Sequence, residues 1–337
     1  MKQRFSEALG RHEAILAAAI CALVIGFAIA APAFLGAGHL FSILRSMIVI
    51  GIMALGLLVV LIAGGVDVSV SATAVASMYV TVVTLTEIGY DGPVIVAFLI
   101  SAVLGAALGL VNGALVSLFR LPTLIVTLGT LTLYRGALLA FVGTDRLMDL
   151  PAQMAELGRA SVFVLQSSGG TRAPLHVGVV VLVTLAVALA LALRYTGWGR
   201  AVYTLGGNED AARRLGVPIV PVRLSVFAVS GGLAGIAGLM SASLIRAADP
   251  FTIVGSELTV LAAVILGGAS IAGGRGTVLG TMFGVLLVTL VDSSLVLVGI
   301  PTEWKQVFVG VFLLLGVATP AIRRRRMARQ RGVVAAA

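Results

Sequence analysis

The sequence predicts an all-α, multi-pass membrane protein of about ten transmembrane helices, with both termini in the cytoplasm. Of its 337 residues, 59% are hydrophobic and only 11% are charged, and the mean hydropathy is +1.13. A water-soluble domain has about a quarter of its residues charged. Apolar segments recur along the chain at about 20 residues each, the length of helix that crosses a bilayer. The apolar excess is therefore expected to face lipid.

Ten apolar segments make up most of the chain. The first follows three basic residues and ends in AIAAPA, which resembles the cleavage site of a signal peptide. We favour a retained first helix, because many apolar segments follow it. The ten predicted spans are residues 14–34, 43–63, 68–86, 93–118, 123–142, 175–193, 223–244, 257–272, 277–298 and 304–320.

The distribution of basic residues sets the predicted orientation. An even number of spans places both termini on one side. With that side inside, the inner connections and termini hold sixteen of the 23 Lys and Arg residues, the outer loops hold six, and Arg135 lies within a span. Six arginines belong to the basic tail, residues 321–337. This asymmetry is the one that cytoplasmic loops of membrane proteins carry.

Several function classes are disfavoured by what the sequence lacks. The net charge of +9 would suggest nucleic acid in a soluble protein, but much of it flanks apolar segments. The glycine-rich run GGASIAGGRGT, from Gly267 to Thr277, lacks the Lys-Ser/Thr ending of a phosphate-binding loop. The three histidines are scattered and the single cysteine is Cys21, so neither a metal site nor nucleophilic catalysis is indicated. We expect no enzyme activity and no directly bound cofactor.

Two connections are long enough for a further role. The outer one, residues 143–174, carries several acids and is predicted to rest on the membrane surface or to meet an external partner. The inner one, residues 194–223, contains a predicted short helix with an N-cap asparagine, acids in its first turn, arginines in its last turn and a terminating glycine. Its residues are Asn208, Glu209, Asp210, Ala211, Ala212, Arg213, Arg214, Leu215 and Gly216. Such a helix, isolated on the inner face, is expected to dock into a partner.

Ionisable groups within apolar segments are costly, so each is a functional candidate. Asp67 is the strongest of these candidates. Gly64 and Gly65 interrupt the apolar run before it, and Ser69 follows it. This pattern fits a broken helix whose backbone groups face a cavity. It fits equally a cytoplasmic turn in which Asp67 merely caps the next helix.

Weaker candidates for the transport path are Asn112 and Arg135, each within a predicted span. Arg135 is expected either to contact the path or to extend toward the membrane surface in a structural role. Glycines at spacing four predict close helix approach. We favour packing within one subunit over a dimer seam for these glycines, which are Gly105, Gly109, Gly113, Gly231 and Gly235.

Four blocks of the sequence resemble one family. GGVDVSV, NGALVSLFRLPTLIVTLGTLTLYRG, RAVYTLGGNEDAARRLGV and LAAVILGGASIAGGRGTVLG are similar to conserved blocks of the ribose-type permeases of ATP-binding-cassette importers. This branch imports ribose, xylose, rhamnose and autoinducer-2. The resemblance runs from about Leu35 to Pro320, with the blocks in the family's order. LYRG and DSSLVLVGIPTEW are most similar to the autoinducer-2 and rhamnose members.

The resemblance implies a type II-importer-like bundle with broken helices in the bacterial inner membrane, forming one permease domain over residues 1–337. Its implied partners are a second permease copy or paralogue, a cytoplasmic ATPase that is usually a fused tandem protein, and a periplasmic sugar-binding protein. ATP and Mg²⁺ would bind to the ATPase. DAARRLG is similar to the EAA-x-x-x-G loop that contacts the ATPase, with Asp210 in place of Glu.

The resulting hypothesis is ATP-driven import of a sugar or sugar-like molecule by alternating access. The helix from Asn208 to Leu215 would couple the chain to its ATPase. Gly64, Gly65, Asp67, Ser69, Asn112 and Arg135 would contact or gate the path. The alternative is a secondary transporter that uses Asp67 as its own proton or ion site.

Overall fold

The computed structural model describes residues 2–166, 172–301, 304–311 and 313–314, and it is mostly helical. In the first half of the chain, a short 3-10 helix at Pro32–Leu35 follows α1. The helices are α1 (Lys2–Ala30), α2 (Ala37–Ile62), α3 (Val70–Glu87), α4 (Val94–Leu118), α5 (Thr123–Phe141) and α6 (Ala152–Leu157).

The second half continues with α7 (Gly178–Tyr195), α8 (Gly197–Gly207), α9 (Glu209–Arg214), α10 (Ile219–Ile245), α11 (Glu257–Leu266) and α12 (Val278–Leu297). Residues 304–311 and 313–314 are also helical.

Seven of the described helices are long and apolar enough to cross a membrane: α2, α3, α4, α5, α7, α10 and α12. Shorter apolar stretches occur at Leu16–Ala30 and Glu257–Leu266. The predicted multi-pass helical architecture is therefore confirmed, whereas the count of ten spans and the side of each terminus stay predictions. The last predicted span lies partly, and the basic tail wholly, outside the described residues.

One predicted span is wrong in length. The apolar run over 257–272 forms only the ten-residue helix α11, about 15 Å long and too short to cross a bilayer. It ends because Gly267 and Gly268 follow, and Gly268 has φ +93°. The rest of the run belongs to an irregular glycine-rich connection to α12.

Two helices form the centre of the bundle. From Gly51 to Ile62, α2 is buried without interruption, and α10 packs against α2, α3 and α4. Its closest partner is α4, whose glycines face those of α10. A second, smaller cluster joins α1 to α12 through Leu16, Ile20 and Leu287.

The long connection between α5 and α7 is more ordered than the sequence predicts. It contains α6 and an antiparallel hairpin of β1 (Ser161–Gln166) and β2 (Arg172–His176). Leu147 pairs with Ala248, which ties the start of this connection to the loop after α10. Together these segments cover the end of the bundle opposite α9, because α10 runs for about 40 Å between the two ends.

Candidate functional site

The helix predicted between Asn208 and Leu215 is present as α9 and has a defined end on each side. The Asn208 Oδ1 accepts a hydrogen bond from the Ala211 N–H at 2.9 Å, which caps the first turn. After the last turn, Gly216 adopts φ +76°, and the N–H groups of Gly216 and Val217 bond to the carbonyls of Arg213 and Ala212. This is a Schellman motif, which explains the terminating glycine.

Glu209 joins α9 to the bundle. Its Oε2 accepts a hydrogen bond from Arg223 Nη2 of α10 at 2.7 Å, and its Oε1 pairs with Arg213 of α9 at 3.2 Å. The hydrogen bond from Arg223 is the main cause that lowers the pKa of Glu209. Ala212 is fully buried and provides the apolar contact on the same side. Glu209 and Ala212 therefore attach α9 to the bundle, and Glu209 links it to the beginning of α10.

The opposite side of α9 is open. Asp210, Ala211, Arg214 and Leu215 are all exposed, and the Leu215 side chain keeps 75% of its accessible surface. The predicted docking of this helix into a partner stays a prediction, and this exposed side is the one that could make the contact.

The amphipathic helix α8 places α9 against the bundle. Thr196 caps α8 by accepting a hydrogen bond from the Gly199 N–H, and Trp198 Nε1 donates to Ser225 Oγ of α10 at 2.7 Å. The Tyr203 hydroxyl donates to the Gly276 carbonyl at 2.8 Å. The sequence interpretation did not single out α8.

Glycines bring three segments together at this end of the bundle. Gly64 (φ +86°) lies just beyond α2, Gly206 lies in α8, and Gly273 (φ +83°) lies in the connection before α12. A Cβ on Gly206 would overlap the Ile62 carbonyl, and the Gly274 N–H donates to that carbonyl at 2.8 Å. Gly64 and the glycine-rich run thus form a junction with α8, in direct contact with the segment that holds α9.

A buried polar cluster surrounds Asp67 and consists of Asp67, Ser69, Asn112, Tyr134 and Ser230. Asp67 Oδ1 accepts hydrogen bonds from the Ser69 N–H (2.9 Å) and hydroxyl (2.6 Å), and Asp67 Oδ2 accepts one from Ser230 at 3.5 Å. Asn112 Nδ2 donates to Ser69 Oγ at 2.8 Å. The Tyr134 hydroxyl donates to the Leu108 carbonyl at 2.8 Å and lies 3.3 Å from Asn112 Oδ1. Each of the five side chains is buried.

The position of this cluster bears on the two interpretations of Asp67. Asp67 bonds the Ser69 N–H at the start of α3, as a local capping group does. It also lies beside Ser230, the twelfth of 27 residues of α10, so the connection 63–69 reaches well inside the bundle. Asp67 is therefore buried inside the bundle and also bonded to the start of α3, and the two interpretations of its role stay predictions.

Of the predicted path residues, the structure brings Asp67, Ser69 and Asn112 together and leaves Arg135 apart. Arg135 lies next to Tyr134 in α5, but its side chain is exposed on a different face of that helix. Gly65 contacts Thr123 at the start of α5, whose hydroxyl accepts from the Val66 N–H.

A second polar contact inside the bundle was missed at the sequence level. Glu257, the first residue of α11, accepts a hydrogen bond from the Ser71 hydroxyl of α3 at 2.7 Å and another from the Gly255 N–H at 3.0 Å. The beginnings of α3 and α11, both preceded by irregular segments, therefore meet through one carboxylate. Its acidic character within an apolar stretch was the signal that could have revealed it.

The predicted packing glycines lie where α4 and α10 cross. A Cβ on Gly105 would overlap the Gly231 carbonyl, one on Gly109 the Phe227 carbonyl, and one on Gly235 the Ser101 carbonyl. Gly113 has more room, with its nearest neighbours at 3.1 to 3.3 Å. The crossing lies within a single chain and contacts the polar cluster through Asn112 and Ser230.

This combination of apolar helices around a broken central segment, with a capped helix displayed at one end, is that of a membrane permease. The family model described as "Branched-chain amino acid transport system / permease component" matches residues 39–317. The chain belongs to this family.

Individual relatives agree with that assignment. The chain is 36% identical to the autoinducer 2 import system permease protein LsrC of Salmonella typhimurium, over 91% of this chain and 84% of the relative. It is 35% identical to the LsrC protein of Yersinia enterocolitica over 79% of this chain and 70% of the relative. No solved structure matches the chain. The predicted resemblance to permeases of this type and the multi-pass inner-membrane location are confirmed.

Proposed function

We propose that this chain is the permease subunit of an ATP-driven importer that carries a sugar or sugar-like molecule across the bacterial inner membrane. The observation that carries the proposal is the ion pair between Glu209 and Arg223, which fastens the exposed helix α9 to α10. An external motor could pull on α9 and thereby move the bundle. The motor would be a cytoplasmic ATPase that holds ATP and Mg²⁺.

The transport cycle would run through α10. ATP binding closes the ATPase dimer and shifts α9, and Arg223 passes the shift to α10. The close glycine crossing makes α4 follow α10, because the two backbones have no room to slide independently. Ser230 and Asn112 lie on these two helices, so their motion opens or closes the segment around Asp67.

A second permease copy or paralogue would complete the path. Arg135 is the thirteenth of the 19 residues of α5 and lies on an exposed face with Leu128 and Thr132. An arginine there is costly against lipid but acceptable against water or polar protein groups. We therefore place the second copy, and the solute path between the copies, on this face of α5.

The substrate class rests on the relatives. The family description names branched-chain amino acids, whereas the curated relatives are named for autoinducer 2 import. The second is favoured, because the identity to those relatives extends over nearly the whole chain. A periplasmic binding protein would deliver the solute.

Site-specific cross-linking tests the motor contact. Cys21 is the single cysteine, so Cys21→Ser gives a background in which Leu215→Cys carries the only thiol. A photoactivatable maleimide at this position is expected to capture a protein containing a GxxxxGK[ST] ATPase motif. The matched probe at Phe163→Cys, on the hairpin at the other end of the bundle, should not. Capture of the ATPase from both positions, or from neither, would contradict the proposal.

The energy source separates the proposal from a secondary transporter that uses Asp67. Vesicles containing the chain alone should not accumulate labelled autoinducer 2, ribose or rhamnose, whereas vesicles that also contain ATP, the captured ATPase and the binding protein should accumulate one of them. Accumulation by the chain alone that collapses with a protonophore would establish the alternative.

A further inference from the structure

A cavity of about 420 Å³ lies at the end of the bundle opposite α9. Its walls come from the beginning of α2, the turn after α6, the β1–β2 hairpin and the end of α10. Three arginines line it, Arg45, Arg159 and Arg246, together with His176 and Ser161. It is separate from the polar cluster and from α9, and the transport proposal makes no use of it.

The three guanidinium groups have no acidic partner among the described residues. None of these arginines lies within 4.0 Å of a described carboxylate, although Glu156 and Asp249 occur on the same segments. The positive charge of Arg45 is partly balanced by the partial negative charge at the end of α10, because Arg45 Nη2 donates a hydrogen bond to the Leu244 carbonyl at 2.8 Å. Within the described part of the chain, Arg159 and Arg246 have no comparable contact. All three arginines are exposed, so their positive charges are available to an anion that enters the cavity.

Backbone geometry holds two of these arginines in place. Arg246 ends α10 in the left-handed conformation, with φ +54°, which is uncommon for a residue with a side chain. Gly158 packs so closely on α10 that a Cβ there would overlap the Ser243 carbonyl. This contact brings the segment that carries Arg159 next to Arg246. The fold therefore fixes the backbone positions from which these two exposed arginines line the cavity.

His176 adds a neutral wall. Burial, followed by the positive charge of Arg45, lowers the pKa of His176, so the ring is uncharged near pH 7. Its Nδ1 accepts a hydrogen bond from the Gly178 N–H at 2.9 Å, which leaves the proton on Nε2. The nearby carbonyls of Leu157 and Gly158 act in the opposite direction and raise the pKa of His176. However, Nε2 donates no well-formed hydrogen bond to either carbonyl. Because Nε2 is itself buried, the ring gives the cavity an uncharged side and the arginines remain its donors.

The neighbouring strand suggests where the cavity lies relative to the bilayer. Val162, Phe163, Val164 and Leu165 of β1 are each about half exposed, on both faces of the hairpin. Phe163 also packs edge-on against Phe41 near the start of α2. An open hairpin leaves backbone groups unpaired and does not enter the hydrocarbon core, whereas its apolar side chains favour the headgroup boundary. Lipid phosphates are abundant at that depth.

We propose that the cavity formed by Arg45, Arg159, Arg246 and His176 binds a phosphate group, supplied either by the headgroup of an anionic lipid or by free phosphate. Guanidinium groups match phosphate oxygens with paired N–H donors, and charge-assisted bonds of this kind are about twice as strong as neutral ones. The exposed apolar strand favours the lipid as the source. The proposal does not depend on the solute carried or on the motor.

The test uses the full-length chain and two probes. In the first arm, the detergent-purified chain is equilibrated with a mixture of phosphatidylglycerol and phosphatidylcholine, and retained lipid is counted by native mass spectrometry. In the second arm, inorganic phosphate is titrated in phosphatidylcholine nanodiscs and binding is followed by the thermal unfolding temperature. The variants are Arg159→Gln with Arg246→Gln, the same pair changed to Lys, and the control Arg146→Gln, an exposed arginine at this end outside the cavity lining.

Wild type and the control should retain phosphatidylglycerol, or respond to phosphate, with an affinity about tenfold above that of the double Gln variant. The double Lys variant should fall between them, because it keeps the charge and loses the paired donors. A response in the first arm alone identifies the lipid as the source, and one in the second arm identifies free phosphate. If the folded double Gln variant matches wild type in both arms, the proposal is wrong.

Discussion

Asn112 is a single residue that connects three helices through one amide group. It belongs to α4, donates to Ser69 at the start of α3, and has its Oδ1 3.3 Å from the hydroxyl of Tyr134 of α5, which donates to the Leu108 carbonyl of α4. Its side chain is fully buried. A buried amide of this kind fixes the relative positions of its neighbours, because each alternative arrangement leaves polar groups without partners.

Replacement of this amide tests its contribution. Asn112→Leu should lower the free energy of unfolding in detergent by about 0.5–2 kcal/mol, the range for hydrogen bonds between membrane helices. Thr132→Val is the control, because the Thr132 hydroxyl bonds the Leu128 carbonyl of its own helix. Equal stability of the Asn112→Leu variant and wild type in denaturant titrations would show that the polar cluster does not hold the helices.

Glu209 gives a prediction that depends on pH. Because the hydrogen bond from Arg223 lowers its pKa below the ordinary 4.5, ionised Glu209 favours the docked form of α9. This stabilisation is complete above the ordinary pKa and disappears as the pH falls through the lowered one. Hydrogen exchange of α9 amides should therefore accelerate, relative to intrinsic rates, on acidification below about pH 4.5.

The matched variant is Arg223→Gln, which should speed that exchange already at pH 7. Arg200→Gln, an exposed arginine of α8, is the control and should exchange as wild type does. Protection of α9 that is the same at pH 7 in wild type and in Arg223→Gln would remove the proposed link to α10.

Among the secondary-structure elements, α4 and α10 form a crossing that depends on the absence of side chains. Gly109→Ala places a methyl group against the Phe227 carbonyl, so the backbones must separate, at a cost of about 1–3 kcal/mol. Gly129→Ala in α5 is the control, because no atom lies within 4 Å of its added Cβ. Thermal unfolding in detergent measures both. A Gly109→Ala variant as stable as Gly129→Ala would contradict the crossing.

Elements were predictable wherever one physical signal dominated. Hydrophobic length located the main helices, and the polar ends of α9, from Asn208 to Gly216, identified that helix and its caps. The hairpin was missed because SVFVLQ and RAPLH acquire their strand conformation from pairing with each other. The early end of α11 was missed because its apolar run continues past the glycines.

The candidate site was predictable in part for similar reasons. A carboxylate that follows glycines in an apolar stretch pointed to Asp67, and the same criterion was available for Glu257. The grouping of Asp67 with Ser230 and Tyr134 was not available, because it depends on how α5 and α10 pack around the break. For Arg135, the sequence predicted the position within a span correctly. It did not predict which side of α5 the side chain occupies, because that depends on the rotation of the helix about its axis.

Taken as one body, the chain is a bundle for which we propose that movement starts at one end. The capped helix α9 lies at that end, the glycine junction of Gly64, Gly206 and Gly273 lies beside it, and the polar cluster lies further inside. A chain built this way supplies the path but not the energy. We therefore expect transport to be driven through α9.

The decisive experiment compares initial rates of labelled autoinducer 2 uptake by vesicles that contain the chain, its ATPase, the binding protein and ATP. Deletion of residues 208–215 should abolish uptake while the chain still reaches the membrane at the wild-type level. The control deletion of residues 328–335, in the tail, should leave the rate unchanged. Uptake at the wild-type rate by the chain that lacks residues 208–215 would show that the motor does not act through α9.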